Sequence, residues 1–227
     1  MEKVVVSIGG SILIPDNNDA VYIKRLAALL KELSRKVKMV IVCGGGKIAR
    51  YYTNTGRELG GRTDELDNMG IGATRLNAEL LRIALGDAAY GSVPLTVDAA
   101  AAAFAKGKIV VMGGTAPGHT TDAVATMVAG KIGCKRVVNA TSVDAVYSDD
   151  PKKNANSERY SNITIKQLCT IVYSEHDAGR SSVFDPLGVQ IAMRECIDIY
   201  VVNGRDLDDM KAAITGKCIK GTHVNSQ

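Results

Sequence analysis

The sequence predicts an α/β layered fold built on a mostly parallel sheet. Three observations carry that expectation. Short apolar runs alternate with segments of helical spacing along all 227 residues. Several of those runs end in glycine turns that lead at once into a helix. The interior palette is narrow: Trp is absent and there are only 2 Phe. The core must therefore come from Val, Ile, Leu, Ala and Met, which suits parallel strands buried on both faces.

The elements follow in order. Residues 4–8 form an apolar strand closed by Gly9, Gly10 and Ser11, and residues 12–14 can extend it before the turn at Pro15. Residues 19–36 place Tyr22, Leu26, Leu29, Leu30 and Leu33 at helical spacing. Residues 39–43 form a second strand, ending in Gly44, Gly45 and Gly46, with a helix from about Lys47. Residues 56–65 are polar and read as a loop. From Asp67, the residues Met69, Ala73, Leu76, Leu80 and Ile83 mark a long helix. That helix is apolar enough to serve as an interface, or to be covered within its own chain. Residues 90–97 read as a strand, and Asp98 caps an Ala-rich helix over 99–106.

Residues 109–112 form the next strand. The loop Gly113 to Thr121 follows, and Thr120, Thr121 or Asp122 can cap the helix after it. Residues 137–140 form another strand, and 148–162 read as an exposed loop. Helices follow near 164–173 and 185–195, then a strand over 197–203. Asp206 or Asp208 opens a last helix, and 222–224 form a short final strand.

Bulk properties narrow the function. The net charge is +4, with no Lys/Arg run interleaved by aromatics, so a nucleic-acid partner is not expected. Such a charge favours anionic small molecules. Cys43, Cys134, Cys169, Cys196 and Cys218 are odd in number and lack CxxC spacing, which reads as reduced thiols in a cytoplasmic protein. A strand begins almost at Met1, so no signal peptide is expected. No apolar run approaches the ~20 residues of a membrane helix, and no membrane partner is expected.

A helix start with free N–H groups after a glycine turn is an anion site, most often for phosphate. Three such turns suggest two phosphorylated ligands handled together. None of the Gly-Lys pairs at Gly46, Gly107, Gly130 and Gly216 is followed by Ser or Thr, which excludes a Walker-type loop. Gly44, Gly46 and Ala49 fit a dinucleotide fingerprint, but they follow the second strand, and Asp64 lies in a polar loop rather than at a strand end.

Taken together, the turns resemble a known set. The ordered segments are Ile8-Gly9-Gly10-Ser11, Cys43 through Arg50, Asp67 through Ala78, and Thr141 through Pro151. They follow the amino acid kinase family, and the Gly-Gly-Thr-x-Pro-Gly-His-Thr-Thr-Asp form of the third turn is similar to its archaeal uridylate kinases. The resemblance spans nearly the whole chain. It implies a three-layer αβα sandwich with about eight strands, in one domain over 1–227. An N-lobe to about residue 134 would hold UMP and a C-lobe over 135–227 would hold ATP. It implies transfer of the γ-phosphoryl of ATP to UMP, Mg²⁺ arriving with ATP, and a homohexamer built from dimers.

The resemblance also implies residue roles. UMP would meet Gly45, Asp67, Thr115, Ala116, Pro117, Gly118, His119, Thr120 and Thr121. The ATP phosphates would meet Gly10, Ser11, Gly46 and Arg50, and its base and ribose Thr141, Tyr147 and Asp150. Asp144 matches the acid that organises the cationic groups. Many members carry lysines where this chain has Ser7 and Ser182. Lys47 is therefore expected to supply the main charge, assisted by Arg50 or Arg180. His119 is expected to shape its loop rather than to react. A kinase for another acceptor and a nucleotide-binding protein without catalysis are the rival readings.

Overall fold

A computed structural model of the chain describes residues 1–15, 20–149, 151, 154, 156–177 (175–177 in backbone only) and 183–227. The chain runs β1 (Glu2–Ile8), α1 (Gly10–Leu13), α2 (Ala20–Leu33), β2 (Val37–Cys43), α3 (Gly46–Glu58), α4 (Thr63–Leu85), α5 (Val97–Phe104) and β3 (Val110–Met112). It continues with α6 (Thr121–Lys131), β4 (Arg136–Thr141), β5 (Val146–Tyr147), β6 (Arg159–Tyr160), β7 (Asn162–Thr164), α7 (Ile165–Asp177), α8 (Pro186–Glu195), β8 (Asp198–Asn203), α9 (Leu207–Ile214) and β9 (Thr222–Asn225).

The main sheet has the order β3-β2-β1-β4-β8-β9-β7, seven strands among the described residues, where about eight were expected. All neighbouring pairs are parallel except β8 with β9. β1 lies between β2 and β4, with Val5 opposite both Val40 and Val137. Its residues Val4, Val5, Val6 and Ile8 are fully buried, as a two-sided strand requires.

Alternation along the strands builds two cores. Val4, Val6, Ile8, Met39 and Ile41 face one layer, where Leu26 and Leu30 of α2, Leu81 and Leu85 of α4 and Met210 of α9 cover them. Val5, Val40 and Val42 face the other, against Val124 and Val128 of α6, Leu168 of α7 and Val189 of α8. The three-layer sandwich is thus the fold observed.

Local expectations differ from the structure in several places. Residues 12–14 do not extend β1: the chain turns into the single helical turn α1, which sends Ile12 and Leu13 into the core. The loop expected over 56–65 shrinks, because α3 runs to Glu58 and α4 starts at Thr63. Residues 90–97 form no strand. Only Ala89 bridges to Ile109, and Pro94 offers no N–H for a ladder. Thr96, not Asp98, caps α5, its side chain accepting from the Ala99 N–H at 3.1 Å. Within the expected loop 148–162, β6 pairs antiparallel with β5.

Candidate active site

Because β1, β2 and β3 are parallel neighbours, Ile8, Cys43 and Met112 end at one edge of the sheet. Ligands of open α/β sheets bind at that edge. The turns there are pressed together. The Gly44 N–H donates to Ile8 O at 2.8 Å and the Gly9 N–H to Ala140 O at 2.9 Å. A Cβ on Gly10 would stand 2.1 Å from the Gly46 nitrogen, and one on Gly46 (φ +61°) 2.4 Å from the Gly10 carbonyl carbon. Only glycine permits that backbone approach. A Cβ on Gly113 would stand 2.6 Å from Thr74 Oγ1. The β2 and β3 turns therefore converge on α4, and the β1 turn packs against the β2 turn.

Helix α4 holds the turns in place. Asn77, 4% exposed, donates through Nδ2 to Gly44 O at 2.8 Å and Gly45 O at 3.3 Å. Thr74 Oγ1 accepts from the Gly114 N–H at 2.7 Å. Asp67 Oδ2 accepts from the Gly118 N–H at 2.9 Å, so this carboxylate sits as the fifth residue of α4 rather than as its cap. Thr120 caps α6, accepting from the Ala123 N–H at 3.2 Å.

Between α3, α4 and the loop after β3 lies a cleft of about 480 Å³. Its walls bring together Gly45, Gly46, Arg50, Asp67, Ala116, Pro117, Gly118, His119, Thr120 and Thr121, all expected site residues. Thr115 stands outside the lining, its carbonyl accepting from Arg75. The His119 N–H closes the loop onto Ala116 O at 3.3 Å. The cleft also uses Ala49, Thr53, Leu66, Gly70, Ile71, Thr74 and Gly114, which the sequence reading did not assign. Helical spacing was the available signal: Gly46, Ala49, Arg50 and Thr53 share one face of α3, and Leu66, Gly70 and Thr74 one face of α4.

The remaining expected residues lie beyond this lining. Gly10 and Ser11 open α1 against Gly46. Lys47 is exposed at the second position of α3. Thr141 ends β4. Asp144 accepts from Tyr147 Oη at 3.0 Å and from Arg159 Nε at 3.0 Å. Partial burial pushes its carboxyl up, but these donors outweigh that effect and hold it below the usual carboxylate range. Asp150, Arg180, Ser182, Asp16, Asp19 and the His176 side chain lie outside the described residues.

One acid was read only as a possible helix cap. The hydroxyl of Ser7, 1% exposed in the middle of the sheet, donates to Asp122 Oδ1 at 2.7 Å. Asp122 keeps part of its surface but turns its carboxyl inward. Burial pushes that carboxyl up to about 6, against the pull of the Ser7 hydroxyl and helped by the charge of Asp185. Ser7, polar between the buried apolar residues Val6 and Ile8, was the sequence signal for this pair.

The amino acid kinase family profile matches residues 2–203. The chain belongs to the amino acid kinase family. Within it, the chain is 44% identical to a uridylate kinase from Methanococcoides burtonii over 97% of this chain and 94% of that one. It is 40% identical to one from Pyrococcus abyssi, over 95% and 96%. The crystal structure of uridylate kinase from Archaeoglobus fulgidus superimposes with a TM-score of 0.89 at 38% identity, covering 99% of this chain and all of that one. A Bacillus anthracis UMP kinase shares the fold at 21% identity, with a TM-score of 0.82.

Proposed function

We propose that this amino acid kinase is a UMP kinase, transferring the γ-phosphoryl of ATP to UMP. The observation that carries the reading is the cleft itself: a space of nucleotide size between α3, α4 and the loop Ala116 to Thr121, with Arg50 and Asp67 on its walls and Asp67 tied to the loop through the Gly118 N–H, beside the pressed turns of β1 and β2. The full-length likeness to uridylate kinases supplies the acceptor.

In this reading the N-lobe, to about residue 134, holds UMP, and the later half holds ATP. Asp67 and the loop 115–121 bind the acceptor. Gly10, Ser11, Gly46 and Arg50 surround the phosphates, and Thr141, Tyr147 and Asp150 the nucleoside of ATP. The acceptor phosphate is already an anionic nucleophile, so no general base is needed. Catalysis is alignment plus neutralisation of charge on the moving phosphoryl. The turn N–H groups supply fixed dipoles, Lys47 the main cation, and Asp144 organises charge through Arg159.

Magnesium fits this arrangement as an ion brought by ATP. Among the described residues no three His, Cys, Asp or Glu side chains gather as a metal cage. Such an ion takes most of its ligands from phosphate oxygens and water. Its chemistry would be to screen the phosphate charge.

The assembly proposed is a homohexamer, a trimer of dimers, in the cytoplasm. The outer face of α4 supports association: Leu76, Leu80 and Ile83 are 64%, 45% and 67% exposed. No helix among the described residues is long and apolar enough to cross a membrane. ADP release with UMP, ATP and Mg²⁺ tests the function. Turnover with UMP but not with carbamate, amino acids or isopentenyl phosphate is expected, and inactivity with UMP overturns it.

A further inference from the structure

Arg75 follows Thr74 on α4 and stands outside the cleft lining. It is half-buried, and its guanidinium is spread over three main-chain carbonyls. Nε donates to Gly114 O at 3.1 Å; Nη2 donates to Thr115 O at 3.2 Å and Leu95 O at 3.4 Å. The adjacent Thr74 hydroxyl holds the Gly114 N–H. Gly114 is thus gripped on both sides by consecutive residues of one helix. The far end of the same loop is gripped by Asp67, two turns earlier on α4.

A trans peptide is planar, so turning a carbonyl one way turns the following N–H the other way. With Gly114 O and Thr115 O held on the guanidinium, the N–H groups of Thr115 and Ala116 face away from it. Ala116 lies on the cleft wall. A planar fork of donors can serve several carbonyls at once, whereas a lysine ammonium is a point donor on a flexible stem.

We infer that Arg75 is a positioning residue for the acceptor. By binding the carbonyls of Leu95, Gly114 and Thr115 it fixes the direction of the amide donors that the acceptor nucleotide meets. This rests on the UMP kinase reading for the identity of the acceptor, but not for the hold on the loop. Arg75 touches no reacting atom, so it sets acceptor affinity rather than the chemical step.

The test compares Arg75→Met and Arg75→Lys with the wild type in full kinetics against UMP and ATP. Amide hydrogen exchange over residues 113–118 is followed in parallel on the ligand-free proteins, with Tm recorded. Loss of about three charge-assisted hydrogen bonds is expected to raise KM for UMP about tenfold in both variants. The KM for ATP and kcat should stay within about twofold, and exchange over 113–118 should quicken. An active wild type whose variants keep its KM for UMP overturns the inference. So does a joint fall of kcat and rise of both KM values that follows Tm, which marks a merely structural role. If the wild type does not phosphorylate UMP, the functional reading fails separately. In that case unchanged exchange over 113–118 overturns the hold on the loop, and faster exchange sustains it.

Discussion

Replacing Asp122 by Asn should make the protein's stability less dependent on pH, with a sign opposite to that of an ordinary ion-paired acid. The carboxyl is raised from 3.8 to about 6 by burial, with Asp185 adding repulsion and the Ser7 hydroxyl opposing both. Below about pH 4 folded and unfolded chains both hold the proton, and the group contributes nothing. Between about pH 4 and 6 the folded state keeps a proton that the unfolded state releases, so stability falls as pH rises. Above about pH 6 the penalty is complete, at most ~3 kcal/mol and nearer ~1–2 once water reaching the part-exposed side chain is allowed for. Asn keeps the size and an oxygen for the Ser7 hydroxyl but never ionises. Its extra N–H₂ carries a cost of ~1–3 kcal/mol if it finds no partner, but that cost is independent of pH. The diagnostic is therefore the difference between variant and wild type across pH, not its absolute value. Urea unfolding at about pH 4.5, 6 and 7.5 measures it. The variant should gain on the wild type by ~0.5–2 kcal/mol from the lowest to the highest pH, since part of the penalty is already present at about pH 4.5. A difference that stays flat refutes the reasoning.

Other expectations concern the turns and the surfaces. Lys47→Met should lower kcat at least about tenfold with Tm unchanged, the scale of one lost electrostatic contact to the moving charge; an unaltered kcat removes Lys47 from the mechanism. Gly10→Ala must displace the Gly46 backbone 2.1 Å from the added carbon, so a loss of ~1–3 kcal/mol in thermal unfolding and a fall in activity are expected. Wild-type Tm and kcat in that variant would show that the turns can part without cost. Leu80→Glu places a charge in the exposed apolar stripe of α4 and should shift the assembly to smaller species in size-exclusion chromatography. An unshifted profile argues that the stripe is not the contact.

The central strands were legible because they are buried on both faces: the apolar runs of β1, β2, β4 and β8 need no knowledge of a neighbour. The glycine turns were legible for a related reason, since Gly10, Gly44 and Gly46 answer to backbone contact alone. Orientation was not. The period over α4 announced a helix, yet of Met69, Ala73, Leu76, Leu80 and Ile83 only Ala73 is buried, while Leu66, Ile71, Leu81 and Leu85 turn inward. Two apolar stripes on one helix carry the same period, and only the rest of the fold decides between them. Residues 12–14 misled in a similar way, because Ile and Leu suit a strand as well as a buried helical turn. The ring of cleft residues was half legible: polar positions such as Asp67 and Thr120 stood out, whereas Leu66, Ile71 and Ala49 look like any packing residue. Asp122 was hidden by its neighbours, since Thr-Thr-Asp before a helix is already explained by capping.

The contact between Gly10 and Gly46 has a consequence for how this scaffold can diversify. No side chain separates those two turns, so their spacing is set by atomic radii and offers evolution nothing to adjust. The opposite wall, from Ala116 to Thr121, is made of side chains and of a loop tethered at its ends. A lineage descending from this chain could change what it accepts by rewriting that loop or the side chains of α3 and α4 around it, while the contact between the two glycine turns stayed frozen.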